Sequence, residues 1–230
     1  MKKLKVIPVI DILWGKIVLA YKGKRNNYVE LKESTITNNI SLKGLIEAFY
    51  VKGYDTIYIA DLDSIVYNES KVLGKILSLA KEFDSINFLI DMGRRGLEFK
   101  DSKNIEWVIG TEYLKVNEIM RLRKRVISLD IFENFVMLSQ GKIPIKSAAL
   151  IVKKILPRKI LAICLDRVGS LKGPNYDIAY NLTKICEDVE VIIGGGLKEL
   201  SDMYFLKFIG ISGVLVATAL HKGIVNVTRL

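Results

Sequence analysis

Two aspartates in this 230-residue chain, Asp11 and Asp130, each follow a strongly apolar run, Val6-Ile7-Pro8-Val9-Ile10 and Val126-Ile127-Ser128-Leu129. A carboxylate so placed is awkward for a merely solvated residue, and two that meet over one cavity can divide proton transfer between a base and an acid. The competing reading of each is a hydrogen bond that orients a loop. A third feature is the run Ile193-Gly194-Gly195-Gly196-Leu197, placed before a helical segment. Without β-carbons, backbone N–H groups at Gly194, Gly195 and Gly196 can surround an anion, and the N-terminus of the following helix adds partial positive charge. Val216-Ala217-Thr218-Ala219 at the last apolar run brings Ala217 and Thr218 to the same anion. The chemistry implied is proton transfer by a carboxylate pair on a small phosphorylated metabolite.

The first half of the chain repeats this order. Met92-Gly93-Arg94-Arg95-Gly96 and Gly110-Thr111 predict a mirror-image anion site built from Gly93, Gly110, Thr111 and the guanidinium groups of Arg94 and Arg95. Asp91, which stands where Gly194 stands in the second half, would repel a phosphate there unless it points away or pairs with Arg94 or Arg95. Asp61, Asp63 and Asp166 fall at or just after strand ends and are candidates to orient substrate hydroxyls, as are Gly169 and Ser170. Such carboxylates can hold magnesium, but interior aspartates more often bond loop amides, so neither metal nor cofactor is expected. The single histidine, His221, rules out a multi-histidine metal site, and Cys164 and Cys186 lack the spacing of a zinc or redox motif.

These residues need elements to position them. Eight apolar runs of strand length recur: Val6 to Ile10, Thr56 to Ala60, Phe88 to Ile90, Trp107 to Ile109, Val126 to Leu129, Ile160 to Leu165, Val191 to Ile193 and Gly213 to Val216. They are nearly continuous in Val, Ile and Leu, as strands buried on both faces should be. Helical spacing separates them at Leu42 to Lys52, Lys71 to Phe83, Val116 to Arg123, Ala148 to Leu156, Tyr176 to Cys186 and Leu200 to Ile209, with a short segment at Leu97 to Lys103. Repeated βα units allow an open doubly wound sheet or a closed barrel. Internal similarity decides for the barrel. Val6 to Ile12 returns as Val126 to Ile131, Ile90 to Gly93 as Ile193 to Gly196, and Val108 to Thr111 as Leu215 to Thr218. A duplicated four-strand half closes into a (βα)8 TIM barrel with equivalent strand ends at one shared mouth. The expected fold is therefore α/β, one barrel over residues 1–230, with halves of about 1–124 and 125–230.

Half of the residues are hydrophobic, 50%, and the mean hydropathy is +0.26, which supplies a large core and excludes intrinsic disorder. The apolar stretches fall short of the roughly 20 residues of a membrane helix, and no signal peptide is evident, so a cytoplasmic location is expected. The net charge of +10 raises nucleic-acid binding. Its one dense cluster, Arg121, Arg123, Lys124 and Arg125, ends a helical pattern, where cations are favoured for local reasons, so nucleic acid is not the expected partner. A positive field also draws in anionic metabolites. The oligomeric state is left open.

The pieces Ile7-Pro8-Val9-Ile10-Asp11, Ala60-Asp61-Leu62-Asp63, Ser128-Leu129-Asp130, Gly173-Pro174-Asn175, Ile193-Gly194-Gly195-Gly196 and Val216-Ala217-Thr218-Ala219-Leu220 carry a resemblance over essentially the whole chain. The chain resembles the histidine-biosynthesis barrel family that contains ProFAR isomerase and its cyclase sibling. The resemblance implies that Asp11 is the base and Asp130 the acid of an Amadori rearrangement, in which a ribose ring opens and an aminoaldose becomes an aminoketose. It also implies two phosphate sites for an elongated bis-phosphate substrate. Departures are equally visible. Asp91-Met92-Gly93 replaces three glycines after the third strand, Val168-Gly169 replaces Asp-Gly after the sixth, and Leu19-Ala20 stands where an arginine often follows the first. Such departures resemble those of a side branch related to the isomerase, known from archaea and some methylotrophs, whose substrate the relationship does not identify. The alternatives are another isomerase, aldol or lyase step on a phosphorylated compound, or a non-catalytic barrel that binds a ligand or subunit.

Overall fold

The computed structural model describes residues 3–230; Met1 and Lys2 lie outside the described residues. Eight parallel strands form the barrel: β1 (Lys5–Leu13), β2 (Thr56–Asp61), β3 (Asn87–Asp91), β4 (Ile105–Gly110), β5 (Val126–Phe132), β6 (Lys159–Cys164), β7 (Glu190–Gly194) and β8 (Gly213–Val216). Each pairs with its neighbour in sequence, and β8 pairs back to β1 with Ile7 opposite Leu215, which closes the ring. The fold is an α/β TIM barrel, as the strand pattern predicts.

The ring separates two apolar layers. Side chains alternate across a strand with period 2, so one parity faces the barrel axis and the other faces the helices. Ile7, Tyr58, Leu89, Val108, Val126, Leu161, Ile192 and Leu215 form one buried cluster inside the ring. Ile10, Ile57, Phe88, Ile109, Ile127, Ile160 and Val214 belong to the larger cluster packed beneath the helices. This parity governs the active face. Asp11 shares the parity of Ile7, Asp91 that of Leu89, and Asp130 that of Val126, so all three carboxylates project inward above the apolar plug.

The helices follow the apolar spacing closely at Leu42–Val51, Leu73–Glu82, Ile145–Ile155, Tyr176–Ile185 and Leu200–Phe208. Ser41 and Asn175 cap two of them by accepting N–H bonds from Gly44 and Ile178, the role that draws such residues to helix starts. Three expectations differ. The helix expected from Val116 to Arg123 stops at Ile119, and the segment expected at Leu97 to Lys103 is replaced by a 3-10 helix at Gly93–Glu98. A short helix at Leu62–Tyr67 was not anticipated. In addition, β1 and β5 each run on into an antiparallel hairpin, β1 with Lys16–Leu19 and β5 with Phe135–Leu138. The two hairpins occupy equivalent places in the two halves and begin directly beyond Asp11 and Asp130. Among the described residues, no helix is long and apolar enough to cross a membrane.

Candidate active site

The inward carboxylates open into one cavity at the carboxyl ends of the strands, with about 1060 Å³ of free space including its mouth. Asp11, Asp91 and Asp130 line it together with Gly194, Gly195, Gly196, Ala217 and Thr218. Gly93, Gly110 and Gly169 line it as well. The barrel therefore brings the expected acid-base pair and the glycine triplet to one space.

Burial governs the electrostatics of the pair. Asp11 is pushed up to about 7, first by loss of solvent and then by the charge of Asp91, against a backbone hydrogen bond from Ala20. Asp130 is pushed up to about 8 by burial, then by Asp91 and Glu112. Its Oδ2 accepts the Glu112 N–H at 3.3 Å and its Oδ1 the Ser128 hydroxyl at 3.4 Å. Asp91, pushed up to about 6 by burial, is held lower than either because it accepts two good hydrogen bonds. The Gly93 N–H reaches its Oδ1 at 2.8 Å and the Tyr58 hydroxyl its Oδ2 at 2.7 Å. Burial thus holds all three above the usual carboxylate range, with Asp91 the readiest to ionise and Asp130 the least.

The glycine triplet is held in a shape no side chain could share. Gly195 and Gly196 have φ of +102° and +88°, and a β-carbon would lie 2.6 Å from the Cys164 carbonyl at the first and 2.4 Å from the Gly173 carbonyl at the second. The loop behind them is fixed by Gly173, whose N–H donates to the Gly196 carbonyl at 2.8 Å, and by Arg167, which donates to the Gly173 carbonyl at 3.0 Å. Among the described residues, the N–H groups of Gly195, Gly196, Ala217 and Thr218 find no protein acceptor. Buried or cavity-facing amides of this kind are the donors an anion uses. The helix after the triplet contributes less than its sequence suggested. Asp202 accepts the N–H groups of Lys198 and Glu199 at 2.7 and 3.1 Å and so caps that terminus internally.

Other expected residues lie away from the cavity. Asp61 is one residue beyond the inward Ala60; it faces outward and caps the helix at Leu62–Tyr67 by accepting the Ser64 N–H. Asp63 accepts the Trp14 N–H at 2.8 Å and ties the β1 hairpin turn to that helix. Asp166 and Ser170 do not line the cavity, and the Ser170 hydroxyl donates to the Arg167 carbonyl. Thr111 is fully buried and accepts the Asp130 N–H through its hydroxyl. Arg94 turns out to Glu118 at 2.6 Å, and Arg95 lies against Glu98 at 3.8 Å; neither lines the cavity.

Several lining residues had no sequence signal strong enough to single them out. Tyr58 is an inward residue of β2, legible from parity once Ala60 is known to face in. Arg25 and Tyr28 come from the long connection between the β1 hairpin and the first helix, and Arg25 reaches across the mouth to the Glu112 carboxylate at 3.3 Å and the Tyr113 hydroxyl at 3.0 Å. A connection of that length without periodicity is a common site of substrate-covering residues. No group of three or more His, Cys, Asp or Glu side chains among the described residues is disposed to hold a metal ion.

Known proteins resemble the chain over nearly its whole length. The family model described as histidine biosynthesis protein matches residues 5–226. The chain is 34% identical over 236 residues to an uncharacterized protein of Methanocaldococcus jannaschii, a match covering 99% of this chain and 97% of that protein. It is 29% identical over 242 residues to the 1-(5-phosphoribosyl)-5-((5-phosphoribosylamino)methylideneamino)imidazole-4-carboxamide isomerase of Clostridium botulinum, covering 97% of this chain and 95% of the enzyme. The isomerase of the same name from Lactococcus lactis subsp. cremoris is 24% identical over 242 residues, covering 98% and 95%. With the match running through all eight strands, the chain belongs to the histidine biosynthesis protein family.

Proposed function

We propose that this barrel is an isomerase that converts a phosphorylated, N-substituted ribosylamine into the corresponding aminoketose, with Asp130 as acid and Asp11 as base. The observation that carries the reading is the projection of both carboxyl groups, from β1 and β5, into the one cavity that also holds the unsatisfied glycine amides. The isomerases to which the chain is similar support the reaction class.

In this reading the phosphate anchors at Gly195, Gly196 and Thr218, which sets the ribosyl carbons beneath the two acids. Protonated Asp130 gives its proton to the ring oxygen as the C1–O bond breaks, leaving an iminium at C1. Ionised Asp11 removes the C2 proton, and the electron pair of that C–H bond forms the enaminol. The enaminol then loses its hydroxyl proton as C1 gains one, so the product is an isomer and no cofactor, water or electron is consumed. The pKa order suits these roles, because an acid near 8 is protonated and a base near 7 is available at the same pH.

The test is turnover of a panel of phosphorylated ribosylamines, ProFAR among them, followed by appearance of the ketose. Asp11→Asn and Asp130→Asn should each lower kcat by about 10²–10⁴, the usual worth of a positioned acid or base. Ketose formation from no member of the panel, or an Asp11→Asn enzyme as fast as the parent, would defeat the proposal.

A further inference from the structure

The two halves offer equivalent anion cradles, and the first is partly filled by the protein's own carboxyl groups. Gly93 corresponds to Gly196, and Glu112 to Ala219, by the internal repeat. In the second half these amides have no protein acceptor among the described residues. In the first half the Gly93 N–H already donates to Asp91 Oδ1 at 2.8 Å, and the Glu112 N–H donates to Asp130 Oδ2 at 3.3 Å. The protein's own carboxylates thus stand where phosphate oxygens would otherwise sit. The arginines that could offset them are committed elsewhere, Arg94 to Glu118 and Arg95 beside Glu98, and Arg125 donates to the Gly96 carbonyl. The one guanidinium that lines the cavity, Arg25, is bound by Glu112 and Tyr113. A second phosphate would therefore meet the Asp91 carboxyl group with the Gly93 and Glu112 amides already taken, beside an Arg25 whose charge is already paired with Glu112.

We infer that the substrate of this site carries a single phosphate, seated at Gly195, Gly196 and Thr218, and that the end it presents to Asp91 and Tyr58 is a hydrogen-bond donor without negative charge, such as an amine. The inference rests on reading the glycine triplet as a phosphate cradle, and it makes Asp91 the specificity-determining residue of the pocket. A cationic or donor-rich end would donate to the remaining lone pairs of Asp91 and relieve the crowding of three carboxylates. Discrimination would come from repulsion of the wrong ligand as much as from attraction of the right one.

Titration calorimetry on the full chain can decide, with aminopentyl phosphate and pentanediyl bisphosphate as matched probes. Wild type should bind the aminoalkyl monophosphate at least about tenfold more tightly than the bisphosphate, given the cost of juxtaposed like charges. Asp91→Gly, which frees the Gly93 amide, should bring the bisphosphate to equal or tighter binding. Asp91→Asn, which keeps the shape and removes the charge, should narrow the gap if the glycine variant fails to fold. A bisphosphate that binds wild type as well as the monophosphate overturns the inference, as does a preference that survives both substitutions or binding of neither probe. The isomerase reading fails separately, on absence of ketose formation, and would leave a monophosphate preference untouched.

Discussion

The two halves of this barrel end their strands in matching residues and use them for opposite purposes. At β7 and β8 the glycines and Thr218 face the cavity with their donors free. At β3 and β4 the equivalent positions are turned into support, with Gly93 and Glu112 bonding carboxylates and Thr111 fully buried beneath Asp130. The lesson is that a repeated backbone shape does not repeat a ligand. One substitution, a carboxylate at Asp91 where the other half has Gly194, both fills the cradle and raises the pKa of the two acids beside it. The open anion cradle thus belongs to one half, while the proton-transfer pair takes one carboxyl group from each.

The threonine pair tests this division most severely. Thr218→Val removes a hydroxyl that has no protein partner among the described residues and lines the cavity. Loss of one hydrogen bond to a charged group, about 1.5–3 kcal/mol, should raise KM for a phosphorylated substrate by about 10–100-fold while the melting temperature stays put. Thr111→Val removes the acceptor of the Asp130 N–H inside the fold. It should cost about 1–3 kcal/mol of stability and leave affinity for inorganic phosphate unchanged. If the two variants behave alike, the halves are not divided as described.

Activity against pH sharpens the same comparison. The base must be ionised and the acid protonated, so kcat/KM should rise through the titration of Asp11 near 7 and fall through that of Asp130 near 8, giving a narrow bell whose limbs belong to the coupled pair. Asp91 contributes to both elevations by charge, second only to burial. Asp91→Asn should therefore move both limbs to lower pH. A bell that does not move would show that the filled cradle and the acid-base pair are electrostatically independent.

Much of this was legible before any coordinates. The eight strands are runs of Val, Ile and Leu because both faces of each are covered, and such runs have no other reading at that length and spacing. Asp11 and Asp130 stand out because a carboxylate directly after such a run is awkward for a solvated residue, and the fold adds that each continues the inward parity of its strand. Parity also explains what was placed otherwise. Asp61 follows the inward Ala60 by one residue and so faces out, where it caps a helix too short for its periodicity to be noticed. The inward Tyr58 was overlooked because an aromatic residue in a buried strand looks like core. Arg25 and Tyr28 were hidden for a different reason, since their loop carries no periodic pattern and its course depends on the hairpin at Lys16–Leu19. Arg94 pairs with Glu118, a partner that no local pattern announces, and Arg95 lies beside Glu98 three residues on.

The smallest effect expected is on stability, and its sign follows from Asp130. Its folded pKa, about 8, lies above the ordinary 3.8, so the native state binds a proton that the unfolded chain has released across that interval. The contribution of Asp130 to stability is therefore present in full below about pH 4 and is lost as pH rises through about 8. Asp130→Asn keeps an oxygen for the Glu112 N–H and cannot ionise beside Asp91. The variant should melt at the same temperature as wild type near pH 4 and at least about 2–4 °C higher at pH 9, the shift expected for about 1 kcal/mol in a chain of this size. A change at the open cradle, Thr218→Val, should show no such pH dependence, because that cradle holds amides and a hydroxyl in place of a buried charge. Scanning calorimetry of the two variants at both pH values would reveal whether the cost of ionisation is confined to the carboxyl cluster, and a stabilisation that persisted at pH 4 would trace the effect to packing instead.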